Sequence, residues 1–398
     1  MSGVSHILLI PSWYPDSPDE VKGVFFRDQA LALADAGHRV GVVAPGMRSL
    51  RTVGQESSAR VIPEYELDAS IPTYRSRVWA ALPRVPYGNY WLWRRAAERL
   101  LKRYLSEQGK PDVIHAHAAI YAGAVAADWG ERLGVPVVLT EHSTAFARGI
   151  FRPWQLRLAR KAAQRAAERI AVSPEFGRLL AEGLGYELGG WHWIPNVVAR
   201  RFSGGAAAKA EGDVSRSPRL LNLAIMSDKK GQSDLIQAFA NAFPSPSGVE
   251  LWLGGDGPIR SRLQQEAAQA DIADRVSFLG AVPPDEVPGL LARVDLMVVA
   301  SHYETFGVVA AEALMAGVPV VATRCGGPEC IVGEGDGVLV APRDPDALAA
   351  ALAETVERLP SYELMCIAAR ANKRFSGPAV ARQLGEVYER VLAGGTTR

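Results

Sequence analysis

The apolar positions of this chain fall into short runs of strand length, separated by longer segments whose apolar residues recur at helical spacing. Residues 7–10, 39–44, 112–115, 135–140 and 170–172 read as buried strands in the first half, with helices such as 27–36 between them. Residues 220–226, 250–253, 276–279, 296–300 and 318–322 do the same in the second half. Strand alternating with helix predicts an α/β chain with one parallel sheet per half, each covered on both faces. Between the halves, 203–218 holds three glycines and almost no large apolar side chain, which predicts a flexible connection. The expected division is 1–202, the linker 203–218, a second domain 219–375, and a closing segment 376–398. That segment carries a helix over 379–392 with Val380, Leu384, Val387, Tyr388 and Val391 on one stripe, which must pack on something. Two domains of this kind, facing each other, make a cleft.

Polar residues that packing does not require stand out against this pattern. After the apolar run 296–300, Glu304 sits in the turn to a helix and Glu312 lies eight positions further on, about two turns into it. Glu304 is thus at the carboxyl end of a parallel strand, where α/β sheets bind ligands. Phe306, Gly307 and Val308 would offer backbone N–H groups at the positive end of the helix, which suits a phosphate. A carboxylate beside them accepts hydrogen bonds only, good for clasping paired hydroxyls on a sugar or ribose. The plain alternative is a helix-terminal charge and a solvated one; the pair together with Gly307 favours the ligand reading.

Composition narrows the classes. With 398 residues, 48% apolar and 22% charged, the chain has the make-up of a soluble enzyme of two or three domains. A net charge of +1 gives no global attraction to nucleic acid. Three cysteines, Cys325, Cys330 and Cys366, have no metal-binding spacing and leave an odd thiol, which predicts a reducing, cytoplasmic setting. No apolar run approaches a membrane span or a signal-peptide core.

Further candidates sit at other strand ends. His117 and His142 follow different strands of the first half and could share one crevice, while His115 reads as an ordinary residue turned away from His117. No set of ligands completes a metal site beside them. Gly23 enters the first helix after a proline-fixed loop and would let a phosphate approach the backbone; the G-x-G-x-x-G dinucleotide fingerprint is absent there. Lys229 and Lys230 stand ahead of a helix starting near Ser233, where a lysine can neutralise a diphosphate. Gly255 and Asp256 lie in a tight turn after the strand 250–253.

Taken together, these segments resemble the retaining glycosyltransferases of the GT-B fold, family 4. The second half carries the resemblance through Lys230-Gly231, Gly255-Asp256-Gly257-Pro258, Glu304-Thr305-Phe306-Gly307, Glu312 to Pro319, and Gly326 to Glu329. The first half adds Phe25 to Ala30, Asp112 to His117, Thr140-Glu141-His142 and Pro195-Asn196. The resemblance implies two Rossmann-like domains and a nucleoside diphosphate sugar as co-substrate, a UDP-sugar before a GDP-sugar, with no other cofactor and no metal. It implies catalytic parts for Glu304 on the donor sugar, Lys230 on the leaving diphosphate and His117 near the anomeric carbon. It implies donor contacts for Gly23, His142, Lys229, Gly255, Asp256, Val282, Thr305, Phe306, Gly307 and Val308, with Glu312 on the ribose. It also implies a last helix returning to the first domain.

One position departs from the family pattern: Ile225 stands where an arginine usually joins Lys230 on the diphosphate. The mechanism implied is front-face displacement, in which the departing diphosphate takes the acceptor's proton. The acceptor would be a hydroxyl of a glycan, a lipid-linked sugar or a small molecule. The stretch 75–110 has nine basic and two acidic residues interleaved with Trp79, Tyr87, Tyr90, Trp91 and Trp93. It reads either as a face for an anionic membrane or anionic acceptor, or as solvated helix faces whose aromatics pack inward. Two rivals share the fold: a catalytically silent subunit that only binds nucleotide sugar, and a sugar-nucleotide epimerase, which would convert donor without acceptor.

Overall fold

The structure, a computed structural model, describes residues 3–17, 20, 23–50, 64–205 and 216–394. It comprises two compact units, Met1–Val197 with Gly377–Arg398, and Val198–Ser376. Most of the expected flexible connection, 206–215, lies outside the described residues.

The first unit has strands β1 (His6–Pro11), β2 (Arg39–Arg48), β3 (Tyr65–Asp68), β4 (Ile71–Trp79), β5 (Val113–His117), β6 (Val137–Glu141), β7 (Glu168–Ala171) and β8 (His192–Trp193). They form one sheet in the order β3-β4-β2-β1-β5-β6-β7-β8, parallel throughout except for the β3–β4 pair. Its helices are α1 (Val24–Asp35), α2 (Gly88–Gln108), α3 (Ala124–Leu133), α4 (Pro153–Arg165) and α5 (Pro174–Leu184). The chain runs from β1 outward through β2 to β4, then returns on the other side of β1 as β5. Strand order reverses there, at the carboxyl ends of β1 and β5, the place where open α/β sheets bind ligands.

β3 and β4 escape the apolar-run reading for a physical reason. The sequence of β4 places Arg75 and Arg77 at strand positions, and Arg75 is buried. Its guanidinium is accommodated by Glu66 of β3, whose Oε1 accepts from Nε at 2.8 Å, and by the carbonyl of Pro15. Polar positions that are satisfied by ion pairs leave no apolar signature.

The second unit has β9 (Arg219–Leu223), β10 (Glu250–Gly254), β11 (Val276–Gly280), β12 (Leu296–Val299), β13 (Val320–Thr323) and β14 (Gly337–Val340). All are parallel, in the order β11-β10-β9-β12-β13-β14. The helices are α6 (Gln232–Ala242), α7 (Arg260–Gln269), α8 (Val287–Leu291), α9 (Val308–Met315), α10 (Pro345–Glu357) and α11 (Leu364–Phe375). Strand order here reverses between β9 and β12, so the loops at residues 224–231 and 300–307 flank the switch point.

The last helix, α12 (Gly377–Gly394), belongs to the first unit. Val380, Leu384, Val387, Tyr388 and Val391 are all buried, in one core cluster with Phe26 and Leu33 of α1, Ile7 of β1 and Val40 of β2. Burying an aliphatic side chain of this size is worth roughly 1.5–3 kcal/mol. The helix is therefore a fixed part of that unit rather than a tail. Among the described residues no helix is long and apolar enough to cross a membrane.

Candidate active site

In the second unit the switch point brings Lys230 and Glu304 together. Lys230 ends a short 3₁₀ turn after β9, and Glu304 lies in the turn after β12; their side chains form an ion pair, both about four-fifths covered or more. The Oε1 of Glu304 also accepts from the Ser301 hydroxyl at 2.7 Å. Its backbone is clamped on both sides: its N–H donates to the Cys325 carbonyl and its carbonyl accepts from Gly327 N–H, each at 2.9 Å. The Glu304 backbone is thus held by the loop after β13, and its carboxylate by Ser301 and Lys230.

The lysine side is fixed in a similar way. His302 N–H donates to the Lys229 carbonyl at 2.9 Å, and the His302 ring meets Asp234 of α6 at 2.8 Å. Gly231 follows with φ +64°, and a Cβ placed on it would sit 2.0 Å from the Ala300 carbonyl oxygen. Only glycine permits that approach of the two loops. The Lys229 side chain is exposed, and so is Ile225, at 66%.

Gly307 caps α9 with φ +94°, and no side chain caps that helix end. Phe306 and Thr305 are buried, the Phe306 ring edge-on to Phe375 with centroids 5.9 Å apart. Val308 opens the helix and Glu312, partly buried, is its one charged residue. The alanines around it let the helix lie close on the sheet. Gly255, Asp256 and Val282 follow the neighbouring strands β10 and β11; Gly255 N–H bonds the Gly280 carbonyl at 2.7 Å, and Asp256 is exposed. The carboxyl edge of this sheet therefore gathers Lys230, Glu304, the α9 terminus and Glu312's helix around one switch point.

In the first unit, Gly23 has φ +85° at the start of α1 and is buried against Trp13 and Pro15. His117 and His142 meet directly, with Nδ1 of His117 3.0 Å from Nε2 of His142. His115 corrects its sequence reading. Residues two apart on a strand share a face, so its ring stacks on His117 at 4.4 Å between centroids instead of turning away. All three rings are buried, and loss of hydration holds them neutral: His115 and His142 are pushed down to about 3, and His117 well below the usual histidine range.

The sequence reading missed Glu141. Fully buried, it accepts backbone N–H groups from Ala119 at 2.7 Å and from His142 and Ser143 at 2.8 Å, tying together the turns after β5 and β6. Burial raises its pKa, against the pull of those three donors. A carboxylate at the end of an apolar strand was the available signal.

The basic stretch 75–110 does not form one surface. Arg75 is interior, Tyr90 and Trp93 pack inward, and Arg94, Arg99 and Arg103 are engaged by Asp128, Glu64 and Glu107. Trp91 is the exposed aromatic of α2, at 55%.

Two sequence families match the chain: Glycosyltransferase Family 4 over residues 23–201, and Glycosyl transferases group 1 over 207–371. TuaC of Bacillus subtilis (strain 168), a candidate teichuronic acid biosynthesis glycosyltransferase, is 30% identical over 87% of this chain and 88% of its own length. The chain belongs to the family 4 glycosyltransferases of the GT-B fold. This glycosyltransferase is also 29% identical to the 2-deoxystreptamine glucosyltransferase of Streptomyces kanamyceticus, over 82% of this chain and 86% of the relative. The sucrose-phosphate synthase structure from Thermosynechococcus elongatus superimposes with a TM-score of 0.76 at 22% identity, covering 98% of this chain and all of that one. Anabaena HepE in complex with UDP gives 0.72 at 23%, covering 97% and 100%. Both share its fold.

Proposed function

We propose that this glycosyltransferase moves a hexose-type sugar, with retention of configuration, from a nucleoside diphosphate sugar to an acceptor hydroxyl. The observation that carries the reading is the Lys230–Glu304 pair at the switch point of the second unit, beside the uncapped terminus of α9. A cation, a helix terminus and two carboxylates at one sheet edge suit a ligand with a diphosphate and two polyhydroxyl groups. UDP-sugars come before GDP-sugars, because HepE was solved with UDP-glucose.

In this reading Lys230 and the Phe306–Val308 backbone take the diphosphate, Glu304 the hydroxyls of the transferred sugar and Glu312 those of the ribose. Lys229, Gly255, Asp256, Val282 and Thr305 complete the donor contacts. The bond between the anomeric carbon and the diphosphate oxygen breaks, the acceptor oxygen bonds to the same face, and the leaving diphosphate takes the acceptor's proton. Donors fixed in advance stabilise that charge without rearranging. No metal or further cofactor enters the scheme. In the first unit, Gly23, His117 and His142 keep the parts the resemblance gives them, with the imidazoles neutral. The acceptor is a glycan, a lipid-linked sugar or a small molecule. An anionic membrane is left out, since Arg75, Arg77, Arg94, Arg99 and Arg103, five of the nine basic residues of 75–110, are engaged in ion pairs.

Proton NMR of the first-formed product tests the stereochemistry. The reading expects the donor's anomeric configuration, and an inverted product would overturn it.

A further inference from the structure

The last helix does more than complete the core of the first unit. Its Tyr388 is buried, and among the described residues its hydroxyl has one hydrogen-bond partner, Nδ1 of His115 at 2.7 Å. On the far side of that ring, Nε2 lies 2.7 Å from the Thr140 hydroxyl. His115 in turn stacks on His117, with planes 28° apart. His117 then bridges Gln29 at 3.4 Å through Nε2 and His142 at 3.0 Å through Nδ1.

We infer that Tyr388 is a positioning residue, whose hydroxyl fixes the tautomer and plane of His115 and through it the His117–His142 pair.

The hydrogen-bond roles follow from which protons exist. Burial pushes the Tyr388 phenol up, so its proton stays on, and burial keeps the His115 ring neutral. A neutral imidazole has one donor and one acceptor nitrogen. Two arrangements satisfy both ring nitrogens: the phenol donates to Nδ1 while Nε2–H donates to Thr140, or Thr140 donates to Nε2 while Nδ1–H donates to the phenol oxygen. We take the first, in which His115 carries its proton on Nε2. The next ring reads in the same way. If the Gln29 amide nitrogen donates to Nε2 of His117, the His117 proton is on Nδ1, directed at Nε2 of His142. Three rings then have one defined tautomer each, a condition for neutral imidazoles to present a constant face.

The inference about His115 stands on this network alone; its consequence for transfer rests on the proposed function. The test is Tyr388→Phe in the full chain, which keeps the ring's packing and removes only the hydroxyl. Long-range ¹H–¹⁵N spectra of ¹⁵N-histidine-labelled protein should show His115 as the Nε2–H tautomer in the parent. In the variant its Nδ1 resonance should move, as the nitrogen loses its donor. With UDP-glucose as probe, kcat for donor turnover should fall about tenfold with KM changed less than about twofold, as for misplaced catalytic geometry. Thr140→Ser, which retains a hydroxyl, should keep the parent spectrum, whereas Thr140→Val should disturb it. An unchanged His115 spectrum in Tyr388→Phe overturns the inference, and so does a changed spectrum with unchanged kcat. If UDP-glucose is not turned over even by the parent, the preference for UDP-glucose as donor fails, while the spectra still decide the Tyr388–His115 link.

Discussion

Lys230 and Glu304 lie 74 residues apart in the chain and form an ion pair across the point where the strand order of the second sheet reverses. Neither side chain belongs to the apolar core, and each is held by a loop whose backbone is bonded to a neighbouring loop. Breaking the pair from either side leaves a partly covered charge without its partner, and in the proposed reaction it also removes a contact to the donor.

Glu304→Gln should therefore lower donor turnover by about a hundredfold, the scale found when one preorganised charge contact is lost from an active site. The variant should stay folded, because the amide keeps the shape and the Ser301 contact. Lys230→Ala should give a similar loss. The double variant should be little worse than either single one, since the two act as a unit. Rates that multiply independently would contradict the shared role.

Glu312 should behave differently. Ribose is bound alike before and during transfer, so Glu312→Ala should raise KM for the donor about tenfold, roughly the 1.5 kcal/mol of one hydrogen bond to a charged group. Its kcat should change far less. Steady-state kinetics separates the two parameters.

Gly231→Ala tests the loop that carries Lys230. A methyl group there would strike the Ala300 carbonyl, in a backbone conformation that itself disfavours alanine. Backbone strain of this kind costs about 1–3 kcal/mol. The expected result is a lower midpoint in denaturant and a loss of turnover beyond what the stability change explains.

The buried histidines make stability depend on pH with a definite sign. His115 and His142 are pushed down to about 3 in the folded chain, while an unfolded histidine titrates near 6.5. Between those values the unfolded state binds the proton and the folded state does not. Their contribution is thus complete above about pH 6.5 and is lost as pH falls towards 3, at up to about 1.4 kcal/mol per pH unit for each ring. Denaturation midpoints from pH 7 to 5 should fall, and His115→Gln should flatten the slope.

Apolar runs revealed most of both sheets, because parallel strands buried on two faces leave continuous hydrophobic segments. The Glu304–Glu312 spacing revealed the candidate site, because a carboxylate at a strand end has no packing reason. What stayed hidden was polar and long-range. β4 keeps its arginines through partners on β3, and the pairing of Lys230 with Glu304 needs two loops to meet. The stack of His115 on His117 was available from strand alternation and was read with the wrong parity. Tyr388 looked like one more stripe residue, since nothing in a helical repeat shows that its hydroxyl reaches a histidine on β5.

The most direct test is incubation of the protein with a panel of UDP-, GDP- and ADP-sugars, following release of nucleoside diphosphate with and without acceptor. At least one donor should be slowly hydrolysed without acceptor, and Glu304→Gln should lose that activity while remaining folded. No release from any donor, or equal release by the variant, would contradict the placement of the donor site at Lys230 and Glu304.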